Sequence, residues 1–171
     1  NPHLFFPLGI AGITLVLIGF FFKLSIIPFH MWAPDVYQGA PTPITAMLAM
    51  GSKAAGIAAF MRALYVAFPM LGMYWLPLLA VLCAICMIFG NIMAMKQKDV
   101  KRMLAYSSVA QIGYIAIGLA MGNMYGFIGA VLHAINHAFM KSSLFLVIGG
   151  IEYRFGEVNL YRLDRKSTRL N

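Results

Sequence analysis

Apolar residues in this chain neither alternate strictly nor repeat at a helical period. They fill long blocks separated by short polar interruptions. Blocks of about 20 apolar residues match the length a helix needs to cross the hydrocarbon core of a bilayer. The first block covers residues 4–32 and is interrupted only by Lys23 and His30. An unbroken helix of that length would overrun a core of about 30 Å. Pro28 lacks a backbone donor and Pro34 follows, so the block predicts a helix that breaks near residues 24–29, then a short second piece to about Trp32. Residues 35–43 hold Gly39, Pro41 and Pro43 and predict a turn-rich link.

Four further spans follow. Residues 44–68 form the second, with Lys53 inside it and Arg62 toward its end. Residues 74–95 form the third and carry no charge, and residues 96–102 make a short basic loop. Residues 103–121 and 124 to about 151 form the fourth and fifth, joined by a tight turn at Gly122 and Asn123. The chain is therefore expected to be an all-α integral membrane protein with about five transmembrane helices, the first of them broken. No signal-peptide pattern opens it, since the first block lacks a basic flank and a small-residue cleavage site.

Composition agrees. The 171 residues are 61% hydrophobic and 11% charged, far from the balance of a soluble domain. These values exclude a disordered chain, a nucleic-acid arm and an ordinary soluble enzyme domain. The net charge of +8 does not point to nucleic acid, because the basic residues cluster only at the ends of apolar runs. The lipid bilayer is the expected partner. The first residue is Asn1 rather than Met, so sequence is expected before it. Residues 164–171 break the apolar character with four charges in eight positions and resemble the in-frame translation of a common sequencing adapter. They are expected to be a non-native tail, which leaves residues 1–163 as the transmembrane part; the other reading is a basic membrane-surface tail.

Lys96, Lys98, Lys101 and Arg102 in one short loop place it on the cytoplasmic or equivalent side. Parity then puts the link around Gly39, and the end of the fifth span near Arg154 and Arg162, on the same side.

Lysines at bilayer depth are costly and usually face a bundle interior in transport proteins. Lys23 stands just before the expected break, and broken helices beside an ionisable residue recur at ion sites. It reads either as a proton-exchanging residue or as a snorkelling lysine at a helix end. Lys53 lies near mid-span, where burial disfavours the charged ammonium and favours proton exchange.

His133, His137 and Lys141 are spaced by four residues and share one helix face. Such a stripe through an apolar span suits a proton relay, with Ser142, Ser143 and Asn136 as hydrogen-bonding neighbours. His30 either lines the same cavity or makes a structural hydrogen bond. Arg62 reads as interfacial. Cys83 and Cys86 sit in a charge-free helix and read as small packing residues. No metal site, iron–sulfur ligand set or nucleotide motif is expected.

Several motifs together resemble a known family. Phe22-Lys23-Leu24-Ser25, Pro28-Phe29-His30 and the run Trp32-Ala33-Pro34-Asp35-Val36-Tyr37-Gln38-Gly39-Ala40-Pro41-Thr42-Pro43 are similar to the antiporter-like subunits of respiratory complex I. Ser52-Lys53, the run from Lys101 to Ser108, and Gln111-Ile112-Gly113-Tyr114 extend the match. The Asp-Val-Tyr-Gln-Gly-Ala-Pro form resembles subunit N, called subunit 2 in mitochondria and chloroplasts. By this resemblance the chain corresponds to helices seven to eleven of a fourteen-helix bundle with two inverted five-helix repeats. Lys23 and Lys53 match the lysines of the family's broken seventh helix and its eighth helix. The family's upstream glutamate and the lysine of its second broken helix have no counterpart here.

The resemblance implies a proton-translocating membrane-arm subunit of an NADH (or other donor):quinone oxidoreductase, in a prokaryotic plasma membrane or an organellar inner membrane. Other membrane-arm subunits would be its partners. Quinone, flavin and iron–sulfur centres would belong to other subunits of the complex. The His133, His137, Lys141 stripe is more similar to subunit L or to the related Mrp-type cation/proton antiporters. An Mrp-type antiporter or membrane-bound hydrogenase subunit, and a non-conducting structural subunit, are the alternative readings.

Overall fold

The computed structural model describes residues 2–67, 69, 72–156 and 159–160. The tail expected at 164–171 lies outside them, as does Arg162. Helix α1 covers Pro2–Leu24, α2 Trp32–Gly39, α3 Thr42–Met47 and α4 Lys53–Arg62. Helices α5, α6 and α7 cover Gly72–Met95, Val100–Ala120 and Met124–Phe155. A wide π-helical turn at Leu48–Ser52 joins α3 to α4 and another at Ala63–Ala67 extends α4, giving one continuous span, Thr42–Ala67. Among the described residues, four helices are long and apolar enough to cross a membrane: Thr42–Ala67, Trp75–Met95, Val100–Ala120 and Met124–Phe155. Within the first helix, Leu8–Leu24 forms a shorter apolar stretch.

The first block breaks where the sequence predicts. Ser25 takes a left-handed conformation (φ 63°). Its amide donates to the Phe22 carbonyl at 3.1 Å, and the Ile26 amide donates to the Phe21 carbonyl at 2.8 Å. This pair of bonds is a Schellman cap, which satisfies carbonyls a helix end otherwise leaves open. The Trp32 indole donates to the Phe22 carbonyl at 2.8 Å, and the Ile27 amide donates to the Cys86 sulfur of α5 at 3.2 Å. The break thus leaves its polar backbone groups against protein, the condition for irregular chain at membrane depth.

Two expectations change. The segment after the break does not end near Trp32; α2 begins there and runs to Gly39, so most of the expected link is helical. Pro34 falls in the first turn of α2, where no intrahelical amide is needed, and Asp35 favours the same helix end. Lys101 and Arg102 belong to α6 rather than to a loop. Asp99 caps that helix by accepting from the Arg102 amide at 3.0 Å, which starts it at Val100. Asn123 caps α7 in the same way, accepting from the Gly126 amide at 2.8 Å.

Helix α6 is the central element. In its most apolar window 67% of residues are buried, against 22% for α7. Close approach of α5 and α6 depends on glycine. A Cβ at Gly90 would lie 2.7 Å from the Ala110 backbone nitrogen, and one at Gly113 would lie 3.0 Å from the Cys83 carbonyl oxygen. A large apolar cluster joins α1, α4, α5 and α6 around Leu24, Phe60, Cys83 and Ile112. A smaller one joins α2, α3, the first π-turn, α6 and α7 through Tyr37, Ala46, Ala49, Leu104, Ala105, Phe145 and Ile148.

Candidate functional site

Lys53 is the first residue after the π-turn at Leu48–Ser52. Such wide turns are rare and recur at functional sites. The side chain is 2% exposed, and its Nζ has no hydrogen-bond partner among the described residues. It lies over the ring of Tyr37, 5.6 Å from the centroid. A cation above an aromatic face gains electrostatically, which partly offsets its desolvation.

Lys141 is equally buried and faces α6. Its Nζ donates to the Leu104 carbonyl at 3.2 Å and to the Ser107 hydroxyl. His137, one turn earlier, is 1% exposed, and its Nε2 has no partner among the described residues. Lys53, Lys141 and His133 all lie within electrostatic reach of its ring. His133 is half-buried, with Nε2 2.7 Å from the Gln111 side-chain oxygen and its ring edge-on to Tyr114. An amide oxygen only accepts, so Nε2 carries the hydrogen in that contact.

Four of the six expected site residues therefore come together: Lys53, His133, His137 and Lys141. The other two do not join them. Lys23 sits at the end of α1, beside the break, but its side chain is exposed on the outside of the described bundle. Its stem packs beside Gly56, one turn along α4 from Lys53. His30 is buried against Phe89 at 5.3 Å and Tyr106 at 6.4 Å, between the break and helices α5 and α6.

The expected hydrogen-bonding neighbours are also different. Ser142 and Ser143 donate to the Phe139 carbonyl of their own helix, and Asn136 is exposed. Polar partners come instead from α6, through Ser107 and Gln111. With Lys101 and Leu104 these residues recur every three or four positions, so they share the α6 face that meets α7. That period is the signal by which sequence reasoning could have found them. Tyr37 carries no comparable signal.

A second polar group closes one end of the same seam. Lys101 is 4% exposed and pairs with Glu152 of α7, at 2.8 and 3.0 Å to its two carboxylate oxygens. Thr42 donates to Glu152 at 2.5 Å, and the Ala40 carbonyl lies 3.5 Å from Lys101 Nζ. Nearby, Arg102 donates to Asp35 at 2.6 Å and to Gln38 at 3.0 Å. These contacts place the residue-40 link, the start of α6 and the end of α7 at one end of the bundle, as parity required.

The arrangement has relatives. A family model described as NADH:quinone oxidoreductase/Mrp antiporter, transmembrane, matches residues 6–166. NADH-quinone oxidoreductase subunit N of Trichlorobacter lovleyi is 48% identical over 139 residues, covering 81% of this chain and 28% of that protein. F(420)H(2) dehydrogenase subunit N of Methanosarcina mazei is 41% identical over 158 residues, covering 92% and 32%. The solved membrane-bound sulfane sulfur reductase, an archaeal respiratory membrane complex, contains a chain with a TM-score of 0.78 at 35% identity. That match covers 88% of this chain and 31% of the other. The chain spans about a third or less of the length of the curated relatives it matches.

Proposed function

Because the chain belongs to the NADH:quinone oxidoreductase/Mrp antiporter transmembrane family, we propose that it forms part of the proton path in the membrane arm of a redox-driven, complex I-type translocase. One observation carries this reading. Lys53, His137 and Lys141 converge in a lipid-spanning bundle, and among the described residues no carboxylate pairs with any of them. Buried titratable side chains gathered on one seam of a membrane span are what a proton relay requires. His133, with Gln111, continues the line along α7. Lys23, at the break, is the residue through which the neighbouring parts of a longer subunit would address it, and His30 is buried between the break and helices α5 and α6.

In this reading the chain moves charge and performs no redox step. Flavin, iron–sulfur centres and quinone act in other subunits, and a plasma or organellar inner membrane separates the two compartments. Lys53→Ala in the intact complex tests it. Proton pumping falls while electron transfer to quinone continues at a reduced, uncoupled rate. Undiminished pumping with normal electron transfer overturns the reading and leaves a structural role for the buried lysines.

The His133, His137, Lys141 stripe favours one second reading, a subunit of an Mrp-type cation/proton antiporter. Sodium-dependent proton exchange in vesicles without an electron donor would select it.

A further inference from the structure

Away from the buried lysines, a cleft opens where the residue-40 link meets the end of α7. Pro41, Thr42 and Pro43 form one wall, and Leu146, Glu152 and Tyr153 the other, around a space of about 460 Å³. That is the size of a small-molecule site. A Cβ at Gly149 would come 3.0 Å from the Thr42 side chain, so glycine lets the start of α3 lie close against α7.

The walls change character with depth. Leu146, Gly149 and Tyr153 are spaced by three and four, so they line one face of α7 over two turns, a depth of about 10 Å. Leu146 is exposed at the deep, apolar end. Tyr153, 95% exposed, stands at the mouth, the level that aromatic side chains take at a membrane interface. Glu152 supplies the only charge among the described lining residues. Its side chain is 38% exposed, whereas that of Lys101 behind it is 5% exposed. Lys101 reaches both carboxylate oxygens, and Thr42 donates to Oε2. A carboxylate offers about four acceptor sites, so one stays open, on Oε1. The chain leaving α7 goes elsewhere. Asn159 bridges to Asp99 and the Leu160 amide donates to the Lys98 carbonyl at 3.0 Å, beside the start of α6.

An apolar wall at membrane depth with an anionic acceptor near the surface fits an amphiphile whose head carries a positive charge and N–H donors. We propose that this cleft is a phospholipid site selective for a primary-ammonium headgroup, that of an ethanolamine phospholipid. The ammonium donates to Glu152 Oε1. The phosphate stays in water at the mouth, beside Tyr153, and the upper part of one acyl chain lies along Leu146. A choline head has the charge but no N–H to donate. A glycerol head brings an anionic phosphate to the carboxylate with no cation between them. The site lies outside the proton-path reading and does not depend on it.

The test uses the full-length protein in its intact complex, in nanodiscs that contain a phospholipid with a diazirine on its acyl chain and an ethanolamine, choline or glycerol head. Illumination attaches the probe to whatever it touches, and mass spectrometry reads the label on the peptides around Pro43 and Leu146. The ethanolamine probe is expected to label them severalfold more than the other two. Leu146→Trp fills the apolar end without touching the ion pair and removes that label. Glu152→Gln lowers ethanolamine labelling to the choline level. Should Glu152→Gln fail to assemble, a probe with its headgroup amine acetylated is read on the parent protein, and labels no better than the choline probe. Equal labelling by all three heads overturns the proposal and leaves an ordinary lipid-facing surface. Stronger labelling by the glycerol probe overturns it in favour of attraction to the basic residues nearby. Absence of label from every probe also overturns it, and shows that protein, from the same subunit or a neighbour, fills the cleft. Pumping is not read, so each of these outcomes leaves the proton path to its own test.

Discussion

The ammonium of Lys53 lies over the ring of Tyr37, and the edge of the same ring contact reaches Phe145. Tyr37 belongs to α2, the helix that resumes the chain after the break, so it connects the break to the buried lysine. Its hydroxyl has no partner among the described residues. Removing an unpaired buried polar group is close to neutral or stabilising. Tyr37→Phe therefore leaves proton pumping and assembly near the parental level. Tyr37→Ala removes the ring from under Lys53 and opens a cavity, a loss of about 3–5 kcal/mol for a buried aromatic. It lowers the melting temperature of the purified complex and reduces pumping. Equal behaviour of the two variants would refute a role for the ring.

Lys141 distinguishes charge from proton exchange. Lys141→Met keeps the length of the stem without a titratable group, and Lys141→Arg keeps a charge that guanidinium does not release. Both variants assemble and both lose pumping, measured as protons moved per electron. Retained pumping in Lys141→Arg would show that the position needs only a fixed positive charge.

Cys86 has a task beyond packing, since its sulfur accepts from the Ile27 amide. Cys86→Ala leaves that buried donor without a partner, which costs about 1–3 kcal/mol. Cys86→Ser keeps an acceptor there and retains more stability than the alanine variant. Thermal unfolding of the detergent-solubilised complex compares them, and an alanine variant as stable as the serine one would contradict the contact.

Glycine at position 90 sets the distance between α5 and α6. A side chain there meets the Ala110 backbone rather than a movable side-chain end. Gly90→Val forces the helices apart, and overpacking of this kind costs about 1–3 kcal/mol or more. Assembled complex recovered from the membrane drops. Gly129→Ala, with open space around it, leaves the yield unchanged.

Much of this was legible in the chain. Apolar block lengths placed the spans, and Pro28 placed the break, because both follow from the physics of a helix in lipid. The spacing of His133, His137 and Lys141 fixed their common face for the same reason. What could not be read was which helix they face. Ser107 and Gln111 share a period with Lys101 and Leu104 that marks one face of α6, but only tertiary packing shows that this face, and not Ser142 and Asn136, meets the stripe. Lys101 was misread as a loop charge because Asp99 starts α6 earlier than the apolar block does. Lys53 and Tyr37 are sixteen positions apart with a turn between them, and no local pattern announces that pairing.

The proton on Lys141, when present, is held by a backbone carbonyl and a serine hydroxyl. Dipoles of this kind stabilise a cation without neutralising it, so they set a shallow well. A carboxylate in the same place would deepen the well and lengthen the stay of each proton. On the proposed proton path the seam would work as a carrier rather than a reservoir, and a single acidic substitution such as Ser107→Asp would turn it into a trap: the lysine would remain charged, and traffic along the line would slow to the rate of escape from that one site.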